Sequence, residues 1–182
     1  INLINTRTNS VVTSTNSSAT SGDYTLTFMA GENYLLEVLA DDYWYLSENL
    51  ILQQVTTFMN ITRDVMLKPI AVGSKLELNI RFDVNSDFLM PESVAELNRL
   101  LRQLKNNPTV RLQVQGHCDD LEALRKPGVA LDRANAVAKY LIENGYSNLE
   151  VKGLANTAPV ATNDTEEGRI RNRRVEVEVL SK

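Results

Sequence analysis

Apolar and polar positions divide the chain into two segments with different periods. In the first, residues 23–28 alternate, with Tyr24, Leu26 and Phe28 on one side. A turn at Ala30-Gly31 follows, and residues 34–40 form a second strand candidate. Residues 50–55 and 61–67 are further candidates, with Asn, Ser, Gly and Asp punctuating the gaps. No 3.6-residue period competes, and several short strands with polar turns predict a small β-sandwich over residues 1–70. Within it, Tyr43-Trp44-Tyr45 is expected to be core. Pro69 and Gly73 mark a joint, because proline removes a backbone donor and glycine loosens the chain.

Past the joint, over residues 73–182, the pattern becomes α/β. Leu76, Leu78, Ile80 and Phe82 alternate as a strand. Pro91 and Glu92 suit a helix start, and Val94, Leu97, Leu101 and Leu104 give one apolar face up to Asn107-Pro108. Val110, Leu112 and Val114 form a half-buried strand. Ala134, Val137, Ala138 and Leu141 stripe a second helix that Gly145 stops. Leu149 and Val151 mark a third strand, and Val175, Val177 and Val179 a fourth, with a short helix near residues 166–172 before it. The predicted class is α+β, with the second segment β-α-β-α-β-β and its helices packed on a mixed sheet.

Composition narrows the function. The chain has 182 residues, 43% hydrophobic and 23% charged, which is ordinary for a folded protein. A net charge of -4 argues against nucleic acid as a partner, since phosphate affinity comes from basic residues. The run Arg169, Arg171, Arg173, Arg174 has no aromatic platform beside it and leads into Glu176 and Glu178. No apolar run approaches the ~20 residues of a spanning helix. The first residue is not Met and the chain opens on a strand-like segment, so it reads as a piece of a longer protein whose upstream domains and anchor are open. The lone Cys118 allows no internal disulfide. With one His and one Cys adjacent in sequence, neither a metal site nor a Cys–His catalytic pair is expected.

Three phrases carry the candidate chemistry: Ile80-Arg81-Phe82-Asp83; Gly116-His117-Cys118-Asp119 followed by Asp132-Arg133-Ala134; and Gly168-Arg169 followed by Asn172-Arg173-Arg174-Val175-Glu176. In this order, over about 110 residues, they resemble the OmpA-like peptidoglycan-binding domain. In the first segment, Ser21-Gly22-Asp23-Tyr24, Gly31-Glu32-Asn33-Tyr34 and Asp42-Tyr43 resemble the carboxypeptidase-regulatory-like fold, with Asp42 where that pattern has Gly. The free end of diaminopimelate in a peptidoglycan stem carries an ammonium and a carboxylate. An anion and a cation a few ångströms apart answer both. The resemblance makes Asp119 and Arg133 the principal ligand contacts. It makes Arg173 a buttress or further contact and borders the pocket with Asp83, Val84 and Asn85. By its place in the strand, His117 is expected at the pocket rim or as a hydrogen-bonded strand-end residue.

The resemblance implies a non-catalytic function: binding the diaminopimelate-containing stem of peptidoglycan, without cofactor, to anchor an outer-membrane or periplasmic assembly such as a secretion system. The pairing of the two modules resembles cell-envelope proteins of the Bacteroidota, with other envelope proteins as partners through the β-sandwich or upstream domains. Cys118 stands where the family has Thr, and Val129-Ala130 where it prefers Leu-Ser. The connection from Asp119 to Arg133 lacks the usual Gly and Asn and contains Lys126-Pro127-Gly128. These departures leave open an alternative, a protein-docking module that has lost wall binding.

Overall fold

The structure, a computed structural model, describes residues 1–51 and 57–182. The chain forms two compact units, Ile1–Pro69 and Ile70–Lys182. The first holds strands β1 (Asn2–Asn5), β2 (Ser10–Ser14), β3 (Asn33–Val38) and β4 (Leu46–Ile51), an antiparallel sheet in the order β2-β1-β3-β4. Leu3, Tyr34, Leu36 and Val38 form its core. Segments 23–28 and 61–67 are not strands. Leu26, Phe28, Val65 and Leu67 nonetheless pack onto that core, and the Tyr24 hydroxyl donates to the carbonyl of Arg63 at 2.8 Å. Alternation there reflects burial of one side without a ladder partner. The strand expected over residues 50–55 lies largely outside the described residues, and β4 ends at Ile51. Trp44 and Tyr45 are buried, whereas Tyr43 is exposed.

The second unit runs β5 (Lys75–Glu77), α1 (Pro91–Asn106), β6 (Arg111–His117), α2 (Asp120–Arg125), α3 (Val129–Glu143), β7 (Leu149–Ala155), α4 (Glu166–Asn172) and β8 (Val175–Ser181). Its sheet order is β5-β8-β6-β7, with β6 and β7 parallel and the other pairs antiparallel. This is a mixed α+β fold with two sheets. The ladder of β5 stops early because the N–H of Ile80 turns back to the carbonyl of Leu78 (2.7 Å), yet Leu78, Ile80 and Phe82 stay buried. On α1 the buried stripe is Leu97, Leu100, Leu101 and Leu104, while Val94 is exposed. Valines 175, 177 and 179 of β8 face the core with Leu112 and Val114 of β6.

Close approach of α3 to the sheet sets up the site. A Cβ on Gly116 would lie 1.8 Å from the Ala130 carbonyl oxygen, and one on Gly153 would lie 2.8 Å from Leu131 Cβ. Only glycine at these positions lets the first turn of α3 lie against the ends of β6 and β7. Arg133 therefore sits beneath the end of β6. At the far end of α3, Gly145 adopts φ +95°, and the Tyr146 N–H closes on the Leu141 carbonyl (2.9 Å), ending the helix.

Candidate functional site: a buried charge cluster at the end of β6

Strand β6 ends at His117, so strand alternation does not carry through to Asp119. Asp119 is instead the N-cap of α2. Its Oδ1 accepts from the Glu122 N–H (2.8 Å), and its Oδ2 accepts from Arg173 Nη1 (2.8 Å). Arg173 arrives from the C-terminal end of α4, and its Nη2 donates to Glu166 Oε1 (2.6 Å). Burial opposes the charge of Arg173, but hydrogen bonds to Glu166 and Asp119 outweigh it and raise its pKa. The Glu166 carboxyl is held below its usual range by hydrogen bonds from Arg173 and then Arg169.

Arg133 is fully buried, and its guanidinium lies 5.0 Å from the centre of the Phe82 ring. Each of its N–H groups has an acceptor. Nε donates to the Ser86 carbonyl (2.8 Å). Nη1 donates to the His117 carbonyl (3.3 Å) and Glu122 Oε2 (2.7 Å). Nη2 donates to the Asp83 carbonyl (3.1 Å) and Glu122 Oε1 (2.7 Å). Glu122 Oε1 also accepts from the Asn85 N–H (2.6 Å). Asn85 takes φ +56°, which shapes the loop after Phe82 so that the Asp83 and Ser86 carbonyls point at Arg133.

Sequence reasoning thus named Asp119, Arg133 and Arg173, which the fold brings together around one turn. Asp83 and Asn85 join them through backbone groups, while Val84 is exposed in the same loop. His117 contributes its carbonyl. Its ring is buried beside Glu176 (Nε2 to Oε2, 3.8 Å), with Arg174 and Lys75 near. Burial, then Arg174, push its pKa down to about 4 against the pull of Glu176.

Glu122 and helix α2 were missed. The signal was present: Asp119-x-x-Glu122 has the spacing of a capping box. Here Glu122 bonds Arg133 and Asn85 rather than its own cap. Helix α3 also starts at Val129, earlier than its stripe suggests, because Pro127-Gly128 ends the turn before it.

Cys118 is buried with Val129 and Ala130, and Ala123 and Ala155 pack on this cluster. Among the described residues, no group of His, Cys, Asp and Glu is arranged to hold a metal ion. No helix there is long and apolar enough to cross a membrane. Arg173 Nε, Asn85 Oδ1 and Asp120 Oδ1 are buried and make no hydrogen bond within the described protein.

The OmpA family profile matches residues 81–173. Peptidoglycan-binding protein ArfA of Mycobacterium tuberculosis is 36% identical over 104 residues, covering 55% of this chain and 32% of ArfA. The cell wall anchor of the T6SS from Pseudomonas aeruginosa superposes with a TM-score of 0.50 at 30% identity, over 59% of this chain and 80% of that one. The periplasmic domain of Helicobacter pylori MotB superposes with a TM-score of 0.56 at 29% identity, over 65% of this chain and 89% of that one. The chain spans 35% of the length of outer membrane porin F of Pseudomonas fluorescens, so its curated relatives carry further sequence beyond the shared domain.

Proposed function

Since the chain belongs to the OmpA family, we propose that its second unit binds peptidoglycan non-covalently and anchors an outer-membrane or periplasmic assembly to the cell wall. The observation that carries this reading is the clustering of Asp119, Arg133 and Arg173 at the end of β6, on the residues that match the family. Support also comes from relatives whose names state peptidoglycan binding and cell wall anchoring.

The ligand in this reading is the diaminopimelate-containing stem. Asp119 accepts from its ammonium, Arg133 holds its carboxylate, and Arg173 keeps Asp119 in place. Residues Asp83, Val84 and Asn85 border the stem. Charge-assisted bonds contribute about 1.5–3 kcal/mol each, so a single stem is held weakly and many copies make the anchor. Binding without turnover fits the thiol of Cys118, which burial pushes up to about 11, and the His117 ring, which faces Glu176. The first unit serves as a spacer or docking surface for envelope proteins in the periplasm. The pairing of a carboxypeptidase-regulatory-like β-sandwich with this domain is similar to PorE, the peptidoglycan anchor of the type IX secretion system, and we assign the anchored assembly to that class.

Titration calorimetry with a diaminopimelate stem peptide tests the reading, with Asp119→Ala and Arg133→Ala beside the wild type. Saturable binding lost in both folded variants is the expected result. Failure of the wild type to bind either the peptide or whole sacculi overturns it. One observation favours the second reading, a docking module without wall binding: every N–H of Arg133 is already taken inside the protein.

A further inference from the structure

The forked edge of Arg133 meets a carboxylate of the protein itself. Three of its five N–H groups go to backbone carbonyls, and the remaining two go to the two oxygens of Glu122, both at 2.7 Å. That parallel pair is the arrangement in which a guanidinium receives a ligand carboxylate. The Asn85 N–H completes a three-donor cradle around Glu122. We infer that Glu122 is a built-in competitor that sets the affinity of the site: a ligand carboxylate reaches Arg133 only by displacing it. This rests on the reading of Arg133 as the carboxylate contact.

The fold makes displacement feasible. Helix α2 buries only Glu122, while Leu121 and Leu124 are exposed. Apart from Ala123, which packs on the Cys118 cluster, the helix is held by polar contacts: the Asp119 cap, the Glu122 cradle, and Lys126, whose Nζ donates to the Asn85 carbonyl (3.2 Å). Elements with little apolar burial open locally at low cost. When α2 swings out, Glu122 leaves with it, and an incoming carboxylate regains the same three bonds, from Arg133 Nη1, Arg133 Nη2 and the Asn85 N–H. No net hydrogen bond is lost at Arg133. The unbonded acceptor Asn85 Oδ1 belongs to the part of the cradle that stays in place and, beside Asp119, gives the ammonium next to the carboxylate a further partner.

The test compares wild type, Glu122→Gln and Glu122→Ala in calorimetry with meso-diaminopimelate and with a stem tripeptide. Glu122→Gln keeps the volume and one acceptor, so it guards against misfolding. Circular dichroism and amide NMR spectra check the fold of each. Both variants are expected to bind at least about tenfold tighter than wild type, and Arg133→Ala in the Glu122→Gln background is expected to abolish the gain. A folded Glu122→Gln that binds no tighter than a wild type whose binding needs Arg133 overturns the competitor and leaves wall binding standing. Absence of binding by all three proteins, to these ligands and to sacculi, overturns both.

Discussion

Arg173 Nη1 donates to Asp119 Oδ2 at 2.8 Å, joining the end of α4 to the cap of α2 across 54 positions of chain. Both side chains are buried. Asp119 thus has one oxygen for the cap and one for a cation, and the same pair orders two helices at once. Truncating Arg173 to Ala leaves Asp119 buried without its counter-charge, and such losses cost about 3–5 kcal/mol. Amide exchange in β6 and β8 is the right readout, because both strands lie in the same unit as the pair. A loss below about 1 kcal/mol would place the pair among solvent-screened surface contacts.

The His117 ring makes stability depend on pH. Its pKa falls from 6.5 to about 4 on folding, so between these values the unfolded chain binds the extra proton. Stability from this group is therefore fully present above pH 6.5 and is lost as the pH falls toward 4. The shift corresponds to about 3 kcal/mol at most. Urea titrations at pH 7 and pH 4.5 are expected to show a smaller loss for His117→Gln than for wild type. An equal loss in both would assign the acid sensitivity to carboxylates.

Long one-sided stripes were readable. Leu97 to Leu104 on α1, Val137 to Leu141 on α3 and the valines of β8 repeat at one period and face one core, and the short α4 was legible beside them. Strands β1 and β2 were not, since among Asn, Ser and Thr only Leu3 and Ile4 are buried there. Helix α2 was invisible to periodicity because Leu121 and Leu124 face solvent and its buried residue is charged. At the site, the motif named Asp119, Arg133 and Arg173. The partner of Arg133 was hidden, because meeting Glu122 depends on how α2 folds back over α3 and on the Asn85 loop.

Gly116→Ala tests the close approach that places Arg133. The new Cβ would meet the Ala130 carbonyl oxygen at 1.8 Å, and backbone on both sides must shift. Overpacking of this kind costs about 1–3 kcal/mol. Gly145→Ala is the control: its φ is +95° but nothing lies within 4 Å of the new Cβ, so only backbone strain of about 1–2 kcal/mol applies. Thermal melts are expected to rank Gly116→Ala as the less stable, with ligand binding impaired in it and retained in Gly145→Ala.

Cys118 reports on the opening of α2. Its thiol is buried, and desolvation raises its pKa from 9.0 to about 11, with Glu122 adding to the rise. A raised thiol pKa means that stability from this group is present below pH 9 and lost as the pH climbs toward 11. At pH 8 the folded thiolate fraction is only about one in a thousand, so a disulfide reagent should label native protein slowly and urea-unfolded protein fast. Ala123 of α2 packs on the Cys118 cluster, so swinging α2 away uncovers the sulfur. Glu122→Gln weakens the tie of α2 to Arg133 but also removes a charge that raises the thiol pKa, so rates are compared per thiolate from their pH dependence. On that basis labelling is expected to speed by about tenfold under native conditions, with Cys118→Ser as the blank. An unchanged rate in Glu122→Gln would mean that α2 stays closed without its charged tie. The ligand carboxylate would then have to enter by another route.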